Sequence, residues 1–113
     1  MNIFIICSVR GMDDEYRLYL ECYTKKLEEL GHKVHLPHRD TDQKATGLVI
    51  CKQNANAIFQ SDEVHIFYNK TSQGTHFDMG VAFAMNKTIK VIDSEPLTEG
   101  KSFANMLLEW EDK

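Results

Sequence analysis

The chain has 113 residues and a mass of 13.0 kDa, with 42% hydrophobic and 27% charged residues, so we expect one ordinary globular domain spanning residues 1–113. A net charge of −4 without a local basic patch argues against a nucleic acid polymer as partner, although a small anionic ligand is compatible with it. The sequence has neither an apolar run of about 18 residues nor a leader segment, which predicts a soluble, cytoplasmic protein without a membrane partner.

Strand-like and helix-like patterns alternate along the chain. Apolar or β-branched runs predict strands over residues 2–7, 33–36, 63–68 and 87–92. Apolar positions at helical spacing predict helices over about 16–30, 48–59, 77–84 and 103–110, and residues 37–42 are predicted to form a polar loop.

This alternation predicts an α/β fold with a mainly parallel sheet of four or five strands and helices on both faces. In such open sheets the ligand crevice lies outside the carboxyl ends of the strands, near the point where the strand order reverses. The loops over residues 8–11, 38–42, 69–75 and 93–95 should therefore carry the functional side chains.

The first of these loops reads Ser8, Val9, Arg10, Gly11 and joins the first strand to the first helix. Its backbone N–H groups can cradle an oxyanion while Arg10 supplies a bidentate fork. The competing interpretation is an ordinary turn with a surface arginine. The loop matches neither the P-loop nor the dinucleotide-binding glycine pattern.

The stretch over residues 69–85 follows a strand and opens a helical pattern. We expect Asp78 to lie in the first helical turn, off the apolar face, as an exposed and ionised carboxylate near Ser72 and Gly74. A carboxylate there could also serve helix stability alone. The apolar positions of the pattern are Phe77, Gly80, Val81 and Ala84.

The five histidines do not follow a metal-ligand pattern, so no metal site is predicted. His38, at the end of the second strand, is a candidate for contacting a ligand or for packing the loop. Cys7 is a possible nucleophile, but a small buried residue at a strand end is the favoured interpretation.

These motifs together resemble the nucleoside 2-deoxyribosyltransferase superfamily over residues 2–92. The first turn is most similar to that of the 2'-deoxynucleoside 5'-monophosphate N-glycosidases, which reads Gly-Ser-Ile-Arg-Gly. The other matching segments are the helix end at Phe59, Gln60, Ser61 and Asp62, and the pattern Ser72-x-Gly74-x-x-Phe77-Asp78-x-Gly80-x-Ala82-x-Ala84.

The resemblance implies a flavodoxin-like fold and cleavage or transfer of the N-glycosidic bond of a (deoxy)nucleoside or its 5'-monophosphate, with Asp78 as the attacking carboxylate. Asn54 stands where the family has an aspartate that assists the departing base. His38 would contact the substrate. Neither a cofactor nor a metal is implied.

The residues expected around a 5'-phosphate are Ser8, Val9, Arg10, Gly11, Ser72 and Gly74. The resemblance also implies a homodimer. The remaining apolar side chains could form its interface or pack in the core instead, and they are Met79, Phe83, Met85, Phe103, Met106 and Trp110.

The sequence departs from the family at three chemical positions, and two functions therefore stay open. Asp78 is one methylene shorter than the usual glutamate, Asn54 cannot act as a general acid, and Phe4 replaces a tyrosine near the sugar. The domain is either an N-glycosidase or deoxyribosyltransferase-like enzyme, or a module that binds a nucleotide or sugar phosphate without turning it over.

Overall fold

Four strands alternate with helices in a computed structural model that describes residues 1–111. None of the helices in this described part is both long and apolar enough to cross a membrane. The strands are β1 (Asn2–Ile6), β2 (Lys33–His35), β3 (Glu63–Phe67) and β4 (Thr88–Asp93). The helices are α1 (Asp14–Glu29), α2 (Pro37–Asp40), α3 (Gly47–Gln60), α4 (Gln73–Ala84) and α5 (Phe103–Glu111).

The strands form one sheet in the order β2-β1-β3-β4, and all three strand pairs are parallel. This arrangement confirms the predicted α/β, flavodoxin-like fold. The chain first moves from β1 to β2 and then returns past β1 to β3, so the strand order reverses between β1 and β3. A ligand crevice is expected at the carboxyl ends of these two strands.

The sheet is covered on both faces, which explains why β1 reads as a continuous apolar run. Phe4 and Ile6 of β1 belong to a core cluster with residues of α3, α4 and α5. Ile3 and Ile5 belong to a second cluster that includes Leu20 of α1. Alternate side chains of the same strand thus fill two separate core layers.

The polar loop predicted over residues 37–42 is wrong in part, because Pro37–Asp40 forms the short helix α2. Pro37 occupies the start of the helix, where the fixed φ of proline is favourable and its missing N–H costs nothing. The Asp40 carboxylate accepts a hydrogen bond of 2.9 Å from the backbone N–H of Leu36, and this contact closes the turn.

Helix α4 begins earlier than predicted. Ser72 is its N-cap, and the Ser72 Oγ accepts a hydrogen bond of 3.1 Å from the backbone N–H of Thr75. Asp78 is therefore in the second turn rather than the first.

The predicted inner face of α4 is also wrong, because Phe77 and Ala84 are exposed. Three of the expected interface residues belong to the core instead: Met79 is buried in it, and the partly buried Met106 and Trp110 pack against it. The buried residues of α4 are Thr75, Asp78, Met79 and Ala82.

Candidate active site

A cleft of about 620 Å³ lies where the strand order reverses, with walls from the segments that follow β1 and β3 and from α3 and α4. Its volume is in the range of small-molecule sites. Seven of the residues predicted from the sequence line it: Ser8, Val9, Arg10, Asn54, Ser72, Gly74 and Asp78. The remaining lining residues are Cys7, Pro37, Gln43, Ile50, Thr71 and Gln73.

Asp78 is the only aspartate or glutamate on the walls of this cleft among the described residues. The expectation of an exposed carboxylate is wrong, since only 5% of the residue is accessible. Burial raises the pKa of Asp78 to about 7, against the opposing effect of a hydrogen bond from Asn54. The carboxyl group therefore titrates near neutral pH instead of staying ionised throughout.

Asn54 connects Asp78 to a buried chain of hydrogen bonds that the sequence did not predict. Its Nδ2 donates to Asp78 Oδ2 at 3.3 Å, and its Oδ1 accepts from the Thr41 hydroxyl at 2.7 Å. Thr41 Oγ1 also lies 2.7 Å from His35 Nε2. Four side chains from α4, α3, the end of α2 and β2 thus form one polar path.

The rim of the cleft offers two sets of groups that suit an anion. Ser8 and Arg10 follow β1 and supply a hydroxyl, backbone N–H groups and a guanidinium. Gln73 and Gly74 lie at the N-terminus of α4, where the first backbone N–H groups have no intrahelical partner and the helix dipole favours negative charge. A phosphate group matches both sets.

Gly11 and His38 do not line this cleft. They lie in an adjacent recess of about 440 Å³, together with Val9 and Gln43. His38 Nε2 is 3.8 Å from the Glu21 carboxylate. Gly11 has a φ of 74°, a conformation that glycine adopts without strain, so its part in shaping the turn is structural.

Cys7 and Phe4 behave as core residues. Cys7 reaches the cleft, but burial and then the nearby Asp78 raise the pKa of its thiol to about 12, so it is protonated at neutral pH. A protonated thiol is a poor nucleophile. Phe4 is fully buried and stacks on His35 with ring centroids 5.1 Å apart.

Asp62 and His76, which belong to or lie within the segments that match the family, are held outside the cleft. Asp62 accepts a hydrogen bond of 2.7 Å from the backbone N–H of Asn2, at the opposite end of the sheet. The His76 ring lies between the Tyr68 hydroxyl, at 2.9 Å, and the carbonyl of Ser72, at 2.7 Å. Neither residue lines the cleft.

No family model matches the sequence, and no curated protein matches it. Among solved structures, the CMP N-glycosidase BcmB of Clostridium botulinum is 23% identical with a TM-score of 0.68, covering 86% of this chain and 75% of that chain. The 2-deoxyribosyltransferase of Bacillus psychrosaccharolyticus is 17% identical, also with a TM-score of 0.68, covering 87% of this chain and 77% of that chain. Both have the fold described here, and both are enzymes of the kind that the sequence motifs resemble.

Proposed function

We propose that the protein cleaves or transfers the N-glycosidic bond of a (deoxy)nucleoside or its 5'-monophosphate. The observation that carries this proposal is the position of Asp78, a buried carboxylate in the wall of a nucleotide-sized cleft whose rim suits a phosphate. The similarity in fold to an N-glycosidase and a deoxyribosyltransferase supports the same chemistry.

In the proposed complex the 5'-phosphate lies against Arg10, Ser8 and the N-terminal N–H groups of α4. These contacts fix one end of the substrate, so that C1' of the sugar can approach Asp78. Positioning of this kind contributes much of the rate enhancement when a nucleophile and the atom it attacks are held close together and correctly oriented.

The reaction then follows the double-displacement logic of retaining glycosidases. An ionised Asp78 oxygen forms a bond to C1' as the bond from C1' to the base nitrogen breaks, and its electron pair leaves with the base. A water molecule attacks C1' in the second step as the bond from C1' to the Asp78 oxygen breaks, which releases the sugar and restores the carboxylate. The proton that this water loses neutralises the hydroxide formed when solvent water protonates the departed base. A second base in place of water gives transfer.

The departing base needs a proton, and the described residues that line the cleft include no carboxyl group besides Asp78 to supply it. Asn54 has no acidic proton. The Cys7 thiol, with its pKa near 12, is a weak acid. We therefore expect water to protonate the base, and bases that leave readily without protonation to be the best substrates.

The second candidate is a module that binds a nucleotide or sugar phosphate without cleaving it. It is favoured by the same electrostatics, since burial raises the pKa of Asp78 to about 7 and thereby reduces the ionised fraction at neutral pH. The anion-binding rim serves either function.

The decisive experiment incubates the protein with a panel of nucleosides and 5'-monophosphates and measures the free base by chromatography. We expect release that Asp78→Asn or Asp78→Ala abolishes, whereas Asp14→Asn, which removes a fully exposed carboxylate on α1, leaves release unchanged. Tight binding of a nucleoside or 5'-monophosphate, with no free base released from any compound of the panel, would disprove the enzymatic function and support the binding module.

We also propose that the protein forms a homodimer through α3 and α4, which pack against each other. These helices expose large apolar side chains, among them Leu48, Phe59, Phe77 and Phe83. Light scattering should give the mass of two chains at micromolar concentration. A combined Phe59→Ser and Phe83→Ser variant should be monomeric, while Leu30→Ser, at the end of α1, should not. A monomeric wild-type protein would contradict this assembly.

A further inference from the structure

The hydrogen-bond chain behind Asp78 has a defined direction. The Thr41 hydroxyl has one proton, and it donates this proton to Asn54 Oδ1 at 2.7 Å. Thr41 Oγ1 must then act as acceptor toward His35, so His35 Nε2 carries a hydrogen and donates it at 2.7 Å. The path therefore runs from His35 through Thr41 and Asn54 to Asp78.

This direction determines which end of the Asn54 amide meets the carboxylate. With Oδ1 held by Thr41, the NH₂ group points at Asp78 Oδ2, 3.3 Å away. In the flipped orientation the amide oxygen would face the carboxylate, which destabilises the ionised form. Thr41, Asn54 and Asp78 are all buried, so water cannot easily compensate for a lost partner.

We propose that Thr41 and His35 are positioning residues that hold the Asn54 amide with its NH₂ group toward Asp78. Their role rests on the proposed function, because it concerns the carboxylate that is expected to attack C1'. Neither residue touches the substrate cleft, and both act only through Asn54.

The positions of Thr41 and His35 are themselves well determined. Thr41 ends α2, and its backbone N–H donates to the Pro37 carbonyl at 3.0 Å. His35 pairs in register with Phe4 on the neighbouring strand, and the two rings stack with an interplanar angle of 12°. The polar path is thus anchored in the sheet at one end.

In the part of the chain that the structure describes, three titratable groups interact with the two ends of the path. Cys7 of β1 interacts with Asp78 from the sheet side. Asp40 and Arg39 of α2 face His35, where burial lowers the pKa of the imidazole and Asp40 acts in the opposite direction. His35 is therefore neutral at pH 7. The direction of the hydrogen bonds along the path is then set by which ring nitrogen carries the proton, and not by a charge on the ring.

The test is a carbon-13 NMR titration of the Asp78 carboxyl in the ligand-free full chain. Thr41→Val keeps the shape of the side chain and removes the hydroxyl, so we expect the pKa of Asp78 to rise by about half a unit or more. Thr41→Ser, which restores a hydroxyl, should return the pKa to the wild-type value.

Thr24→Val is the matched control. Thr24 is a buried threonine of α1 whose Oγ1 has no hydrogen-bond partner among the described residues. We expect this variant to leave the pKa of Asp78 unchanged. An unchanged pKa in Thr41→Val, or an equal rise in Thr24→Val, would overturn the assigned role.

A second measurement needs no substitution and decides the question even if Thr41→Val does not fold. Nitrogen-15 NMR of the His35 ring in the wild-type protein should find the proton on Nε2. A proton on Nδ1 alone would overturn the inference. Because neither measurement uses a substrate, a chain with the expected NMR results that releases no base would disprove the proposed function and leave the positioning role intact.

Discussion

Asp40 and Asp78 are aspartates on helices at either end of the same polar path, yet their surroundings differ sharply. Asp40 accepts hydrogen bonds from the Arg39 guanidinium at 2.8 and 2.9 Å and from the backbone N–H of Leu36. Partial burial raises the pKa of Asp40, but these donors and the charge of Arg39 outweigh it and leave the pKa below its ordinary value.

Among the described residues, Asp78 has a single hydrogen-bond donor, at 3.3 Å, and it is almost completely buried, so its pKa moves in the opposite direction. The difference shows how one chain uses the same functional group in two ways. Where donors are abundant the pKa of the carboxyl group is lowered, and the carboxylate stabilises a turn. Where donors are scarce and burial is deep, the carboxyl group titrates near neutral pH, and this is the group proposed above to attack C1'.

The largest effect expected from the difference between Asp40 and Asp78 is on the rate of base release. Asp78→Asn keeps the size of the side chain and removes the proposed nucleophile, so base release should fall at least about 10³-fold, as happens when a catalytic group is deleted. Asp40→Asn should keep most of the activity, since Asp40 lies outside the cleft. Initial rates with the best nucleotide of the panel measure both. Equal losses in the two variants would mean that Asp78 acts through the fold and not through the chemistry.

The next effect is on stability as a function of pH. The folded-state pKa of Asp78 is raised from 3.8 to about 7, so the folded protein binds the extra proton between these values. The free energy of unfolding should therefore decrease as pH rises from about 4 to about 7, by up to about 4 kcal/mol, and then level off.

Denaturant unfolding of the wild type and of Asp78→Asn across this range measures the decrease. The variant lacks the titrating group, so its stability should change less over the range and exceed that of the wild type above pH 7. Parallel curves for the two proteins would contradict a raised pKa at Asp78.

The smallest effect is expected for Asp40. Its contribution to the free energy of unfolding depends on pH with the opposite sign to that of Asp78. Its folded-state pKa is lowered, so its stabilising contribution is present above the ordinary pKa and is lost as pH falls through the folded value. Asp40→Asn should lower the free energy of unfolding by about 1 kcal/mol at pH 7, where it weakens the hydrogen bonds to Arg39 and Leu36. Thermal unfolding at pH 7 and pH 3 measures the change, and an equal loss at both pH values would show that the charge of Asp40 is unimportant.

The fold could be predicted because it depends on patterns that extend over many residues. The continuous apolar run of β1 and the 3.6-residue period of α1 each repeat one physical signal several times. Local turn chemistry was harder to interpret. Pro37 at the first helical position, followed three residues later by Asp40, is a signal for a helix start. The polar residues around it favoured the prediction of a loop instead.

The site could be predicted only in part, because an apolar stripe does not reveal what it faces. Phe77 and Ala84 suggested the inner face of α4, yet the inner face carries the polar residues Thr75 and Asp78. The cap at Ser72 was a usable signal for the true start of the helix. The partnership of His35 with Thr41 and Asn54 had no such signal, since it depends on three elements meeting in space.

The sheet order has a consequence for synthesis on the ribosome. β1 lies at the middle of the sheet, and Ile6 pairs with Ile66, which is translated sixty residues later. At ordinary elongation rates this interval is roughly 3–12 s, during which the most apolar strand of the chain lacks one of its two neighbours. Until β3 emerges, the backbone N–H and C=O groups along that edge of β1 lack the strand with which they pair in the folded sheet.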